Sequence, residues 1–83
     1  MPVITRLGSM VIKMYFLQSE HNPPHFHVID GEFVGVYEIK TKIMMEGDLP
    51  SKSQKEVIAW LGKYQTDMLE MWETQNFKQL PPI

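Results

Sequence analysis

The sequence contains no cysteine. Thiol catalysis, thiolate metal sites and a disulfide-stapled scaffold are therefore excluded, and a chain this short must draw its stability from its core, a bound ion or a second subunit. No run approaches the roughly 20 apolar residues that span a bilayer, so no membrane is expected. The N-terminus also lacks the basic-then-apolar pattern of a signal peptide, and a cytoplasmic protein is the expectation. Positive charge is scarce: seven lysines and Arg6 stand against ten acids, for a net charge of -2. Nucleic-acid modules usually carry a basic face rich in arginine, so the charge argues against that partner class. Gly8, Gly31, Gly35, Gly47 and Gly62 are scattered and build no phosphate-cradling loop. None of Ser9, Ser19, Ser51 and Ser53 sits in a nucleophile elbow.

What is present is a chain of 83 residues, 43% hydrophobic and 22% charged, which has room for one globular domain and no more. Its hydrophobic period changes near Pro50. Before that point apolar residues alternate or cluster in short β-branched and aromatic runs, and after it they recur at helical spacing. The pattern predicts an α+β fold: a small antiparallel sheet of about four strands over residues 1–48, one long C-terminal helix over 51–76 packed on one face, and a tail over 77–83. Extended segments are expected at Val3 to Leu7, Met10 to Phe16, His25 to Ile29, Glu32 to Ile39 and Lys42 to Glu46. Asp30-Gly31 reads as a two-residue hairpin turn. That turn pairs Ile29 with Glu32, His27 with Val34 and His25 with Val36.

In the helix, Val57, Ile58, Trp60, Leu61, Tyr64, Met68, Leu69, Met71 and Trp72 fall on one half of the surface, and Ser51 or Ser53 can cap it. The apolar phase is kept across Gly62, so a single helix is expected. Its apolar face is longer than a sheet of five- or six-residue strands can cover. Either the second half packs on the N-terminal strands or a partner chain, or the tail folds back and covers it with Phe77, Leu80 and Ile83.

All three histidines lie in Glu20-His21-Asn22-Pro23-Pro24-His25-Phe26-His27-Val28. Pro23-Pro24 should deliver the chain extended into the strand. Strand alternation then puts His25 and His27 on one face and Phe26 and Val28 on the other. Phe26 and Val28 share their side with Phe33, Gly35 and Tyr37, a natural core face, while the histidines look away from the helix together with Lys13, Tyr15 and Glu38. Two imidazoles at i and i+2 can hold one ion. His21, or a carboxylate such as Glu20 or Asp30, would complete a set suited to a divalent metal such as zinc. Alternatively, His25, His27, Lys13 and Tyr15 could act in acid–base hydrolysis. The plain structural reading is that the histidines cap strand ends and stack on neighbouring rings.

Met-Pro-Val-Ile at the start, Ile12-Lys13-Met14-Tyr15-Phe16, Glu20 to Val28, Gly47-Asp48-Leu49-Pro50, and Trp60 followed by Leu69 and Trp72 together resemble a family of small bacterial proteins, domain of unknown function 4160. The His-Asn-Pro-Pro-His-Phe-His stretch is the most specific part of the resemblance. Glu20 stands where the family pattern has Asp. The resemblance implies a bacterial cytoplasmic protein encoded beside another small protein, in a pair of toxin–antitoxin type, and it implies no catalytic residue. Three readings of function follow. The first is a component that binds a small protein encoded nearby, or a second copy of itself through the helix. The second is a metal-dependent or histidine-based hydrolase or nuclease using His21, His25 and His27, and the third is a nucleic-acid-binding regulator.

Overall fold

The structure, a computed structural model, describes residues 3–14 and 23–82. The expected α+β architecture is present. Strands β1 (Val3–Leu7), β2 (Met10–Lys13), β3 (His25–Asp30), β4 (Phe33–Glu38) and β5 (Met44–Gly47) precede one helix, α1 (Ser51–Thr74). The sheet is antiparallel throughout and its strand order follows the chain, β1-β2-β3-β4-β5. It has five strands rather than about four, because Met44–Gly47 joins the edge of β4, with a register shift at Met45. Met14 leaves the ladder after Lys13, and Tyr15 and Phe16, expected to continue β2, lie outside the described residues.

Both tight hairpins use glycine in the same way. Leu7 pairs with Met10 around Gly8-Ser9, and Asp30 pairs with Phe33 around Gly31-Glu32. Gly8 has φ 58° and Gly31 φ 60°, the left-handed conformation that a two-residue turn of type II′ asks of its first central residue. The β3–β4 turn is thus Gly31-Glu32, one residue later than the Asp30-Gly31 expected. His27 pairs with Val36 and His25 with Glu38, not with Val34 and Val36. Each partner moves by two positions, and a shift of two leaves every side chain on its expected face.

One face of the sheet carries the core. Ile12, Phe26, Val28, Tyr37 and Ile39 are fully or almost fully buried beneath Val57, Trp60 and Leu61 of the helix. The Phe26 ring stacks on Tyr37 at 5.7 Å and meets Trp60 edge-on at 6.5 Å. Gly35 makes room for this packing: a Cβ there would stand 3.0 Å from Met44 Sδ and 3.2 Å from Leu49 Cδ1. Ile58, placed on the apolar arc by its spacing, is instead 43% exposed.

Neither Ser51 nor Ser53 caps the helix. The N-cap is Pro50 without a side-chain bond, and Gln54 Nε2 donates to the Leu49 carbonyl. Ser53 Oγ turns to the sheet and donates to Asp30 Oδ2 at 2.5 Å, while Ser9 Oγ donates to Asp30 Oδ1 at 2.9 Å. These bonds hold the Asp30 carboxyl below its ordinary range. A carboxylate beside the first turn also complements the positive end of the helix dipole.

The helix is not one straight rod, because Tyr64 leaves helical geometry at φ -114° and ψ 17°. The next side chain, Gln65, ties the bend to the end of β4 by donating Nε2 to the carbonyls of Ile39 and Lys40. Beyond the bend Met68, Met71 and Trp72 are buried, and the tail is what closes over this region. Leu80 N–H donates to the Ile4 carbonyl at 2.7 Å and Trp60 Nε1 donates to the Pro81 carbonyl at 3.0 Å. The tail folds back over the chain with Leu80 buried and Phe77 packed against a core that Met68, Met71 and Trp72 share with Ile4 and Ile12 of the first strands, while Ile83 lies outside the described residues.

Candidate functional site

The second face of the sheet has no helix or strand packed over it among the described residues. Its composition follows directly from the pairings. One row runs Lys13, His27, Val36, Glu46 across β2 to β5, and the next runs Arg6, Val11, Ile29, Val34 across β1 to β4. At the open end His25 pairs with Glu38. Val11, Ile29 and Val36 are half-buried by their neighbours, and Val34 is 46% exposed. A strip of β-branched aliphatic groups therefore lies between basic residues on β1 and β2 and acidic residues on β4 and β5.

The histidine expectations are met in part. His25 and His27 share this face with Lys13 and Glu38, as anticipated, and the ladder sets Lys13 beside His27 and Glu38, in place of Val36, beside His25. His25 does not look wholly away from the helix, however. Its ring centre lies 4.8 Å from that of Trp72, in the last full turn of α1, so the far end of the helix reaches the start of β3. Asp30, considered as a third ligand, belongs to the opposite face, where Ser9 and Ser53 hold it. His21, Glu20 and Tyr15 lie outside the described residues.

The two imidazoles have different surroundings. His25 Nδ1 is 3.0 Å from the Pro23 carbonyl oxygen. A carbonyl can only accept, so Nδ1 carries the proton and the Nε2 lone pair is left for another partner. The diproline thus both enters the strand and fixes the tautomer of its first residue. His27 is half-buried, and burial followed by the proximity of His25 pushes its pKa below the ordinary histidine value, while Glu46 opposes the change. The ring centres of His25 and His27 are 5.5 Å apart in an edge-on arrangement. Among the described residues no three His, Asp or Glu side chains converge on one point that could hold a metal ion.

Two further features bear on function. A groove of about 420 Å³ lined by Leu7, Gly8, Glu56, Ala59 and Pro82 lies where the helix passes the first hairpin, at the other end of the sheet from His25. Among the described residues of its lining Glu56 alone is ionisable, which gives it little chemistry. Among the described residues no helix is long and apolar enough to cross a membrane.

Sequence reasoning missed Trp72 and Pro23 as neighbours of His25. Trp72 reads as part of the apolar stripe, and although that stripe is expected to outrun the sheet, its spacing does not say which strand end it reaches. Comparison with known proteins gives one finding: residues 10–73 match a family model described as domain of unknown function (DUF4160). No curated protein and no solved structure matches the chain.

Proposed function

The chain belongs to the DUF4160 family, and from that premise we propose that it is a protein-binding component of a two-gene bacterial module of toxin–antitoxin type, with the uncovered face of its sheet as the binding surface. The observation that carries this reading is the distribution of apolar surface. The helix stripe, Ile58 apart, is buried or half-buried within the chain, whereas Val11, Ile29, Val34 and Val36 form a strip on a face that no described element covers. An aliphatic centre with charged borders is the make-up of a non-obligate protein interface. Arg6 and Lys13 on one border and Glu38 and Glu46 on the other would orient a partner more than they would attract it.

Mixed charge on this face also weighs against the nucleic-acid regulator, which needs a basic surface to displace counterions from phosphates. The histidine-based hydrolase has less support than binding. His25 is held by the Pro23 carbonyl and packed on Trp72, a posture that suits a fixed ligand better than a proton carrier that must reorient.

The test is co-expression with the product of the adjacent gene, followed by size-exclusion chromatography. A stable complex is expected, and Ile29→Glu or Val36→Glu should abolish it while circular dichroism stays unchanged. Ile58→Glu, on the outer surface of the helix, should leave the complex intact. A complex indifferent to both sheet substitutions would refute the assignment of the surface.

A further inference from the structure

We propose that His25 and His27 together form a binding site for one divalent transition-metal ion that prefers imidazole, such as copper(II), nickel(II) or zinc(II), independently of protein binding. The first argument is distance. A metal–nitrogen bond of about 2 Å puts an imidazole centre about 3 Å from its ion, so two rings on one ion have centres about 4.5 to 6 Å apart. The pair here stands at 5.5 Å. Alternation along β3 places both rings on the same side without a turn or a strained residue between them.

The second argument is preorganisation. A metal-bound histidine usually donates its other ring N–H to a carboxylate or a backbone carbonyl, which fixes the tautomer and makes the ligating nitrogen more basic. The bond from His25 Nδ1 to the Pro23 carbonyl is of this kind. Trp72 restrains the same ring from the side.

The third argument is the local charge. The ionisable groups on the same face are Glu38 opposite His25, Glu46 and Lys13 in the row of His27, and Arg6 in the row beyond, so the two acids and two bases balance. Glu38, directly across the ladder from His25, is the carboxylate placed to favour a cation there. Two protein nitrogens leave the remaining coordination positions to water, so the ion is exchangeable and not a structural staple. Imidazole selects copper, nickel or zinc over the oxygen-seeking magnesium and calcium.

The experiment uses the full chain purified without a histidine tag and stripped with chelator. Copper(II) is titrated while tryptophan fluorescence is followed, with zinc(II) binding measured in parallel by calorimetry. Saturable binding at one ion per chain is expected. Copper should quench the indole beside His25, and Trp72→Phe should remove most of that quenching while zinc still binds. His25→Ala and His27→Ala should each weaken binding at least about tenfold, and magnesium should not compete.

Because an alanine variant could lose its fold, proton NMR of the wild-type chain provides a second measurement: copper should broaden the ring signals of His25 and His27 before others. The proposal is overturned by absence of saturable binding, by unchanged affinity in the folded double variant, or by broadening confined to other residues. Loss of metal binding with the protein complex intact would leave the proposed function standing, and the reverse result would remove that function alone.

Discussion

The two faces of the sheet are written by the same strands, one residue in two each, and they differ in kind. On the helix side Phe26, Val28, Ile12 and Tyr37 are closed off by Trp60, and Gly35 gives up its side chain so that Leu49 and Met44 can sit down on β4. On the other side Val11, Ile29, Val34 and Val36 are joined by His25, His27, Lys13 and Glu46, and none of the described strand residues of that face is Phe, Tyr or Trp. Valine and isoleucine satisfy strand geometry wherever they stand. Their presence on a face therefore reports a strand. Aromatic rings, which must hide large areas, report which face is inside.

The contrast can be tested by substitution. The largest effect should come from Phe26→Ala, which removes the ring between Tyr37 and Trp60. A loss of about 3–5 kcal/mol in urea unfolding is expected for a fully buried aromatic. Next is Gly35→Val, whose Cβ alone would reach within 3.0 Å of Met44 Sδ and 3.2 Å of Leu49. Overpacking of this sort costs about 1–3 kcal/mol, measured in the same way.

A smaller effect, visible through its pH dependence, is expected at Asp30, whose ordinary carboxyl value is 3.8. Hydrogen bonds from Ser53 and then Ser9 depress its pKa in the folded chain. Its contribution is therefore present above the unfolded value and lost as pH falls through the folded one. Thermal midpoints of the wild type and Asp30→Asn should differ by a constant amount near neutrality and converge below about pH 4. An offset that persists in acid would assign the loss to shape and not to charge. The smallest effect is expected on the open face, where Ile29→Thr should change stability by no more than about 0.5 kcal/mol. A penalty near that of Phe26→Ala would mean that the open face is covered after all.

Local regularities were legible in the sequence, and long-range choices were not. Alternation placed Phe26 and Val28 inside and His27 outside, and the helical period marked Val57, Trp60, Leu61 and Met68 for burial, because each depends only on near neighbours. The position of the hairpin turn was read one residue early. Asp30-Gly31 has the composition of a turn, yet the Asp30 carboxylate accepts bonds from two serines that come near only once the sheet and helix are joined. The same tertiary demand takes Ser53 from its capping role.

The bend at Tyr64 has no proline to announce it, and the Gln65 amide that ties it to β4 looks like any surface residue in the sequence. At the candidate site the pairing of His25 with His27 was readable from their spacing. The roles of the Pro23 carbonyl and Trp72 were not, since one is a backbone atom and the other lies 47 positions away in the chain.

The bond from Leu80 to Ile4 makes the tail a guard for the edge of the sheet. β1 is an outer strand, and the docking of residues 80 and 81 supplies partners to its rim and to the Trp60 indole at one stroke. A tail that lifts away would uncover both together, and the bared rim could then pair with a strand of another molecule.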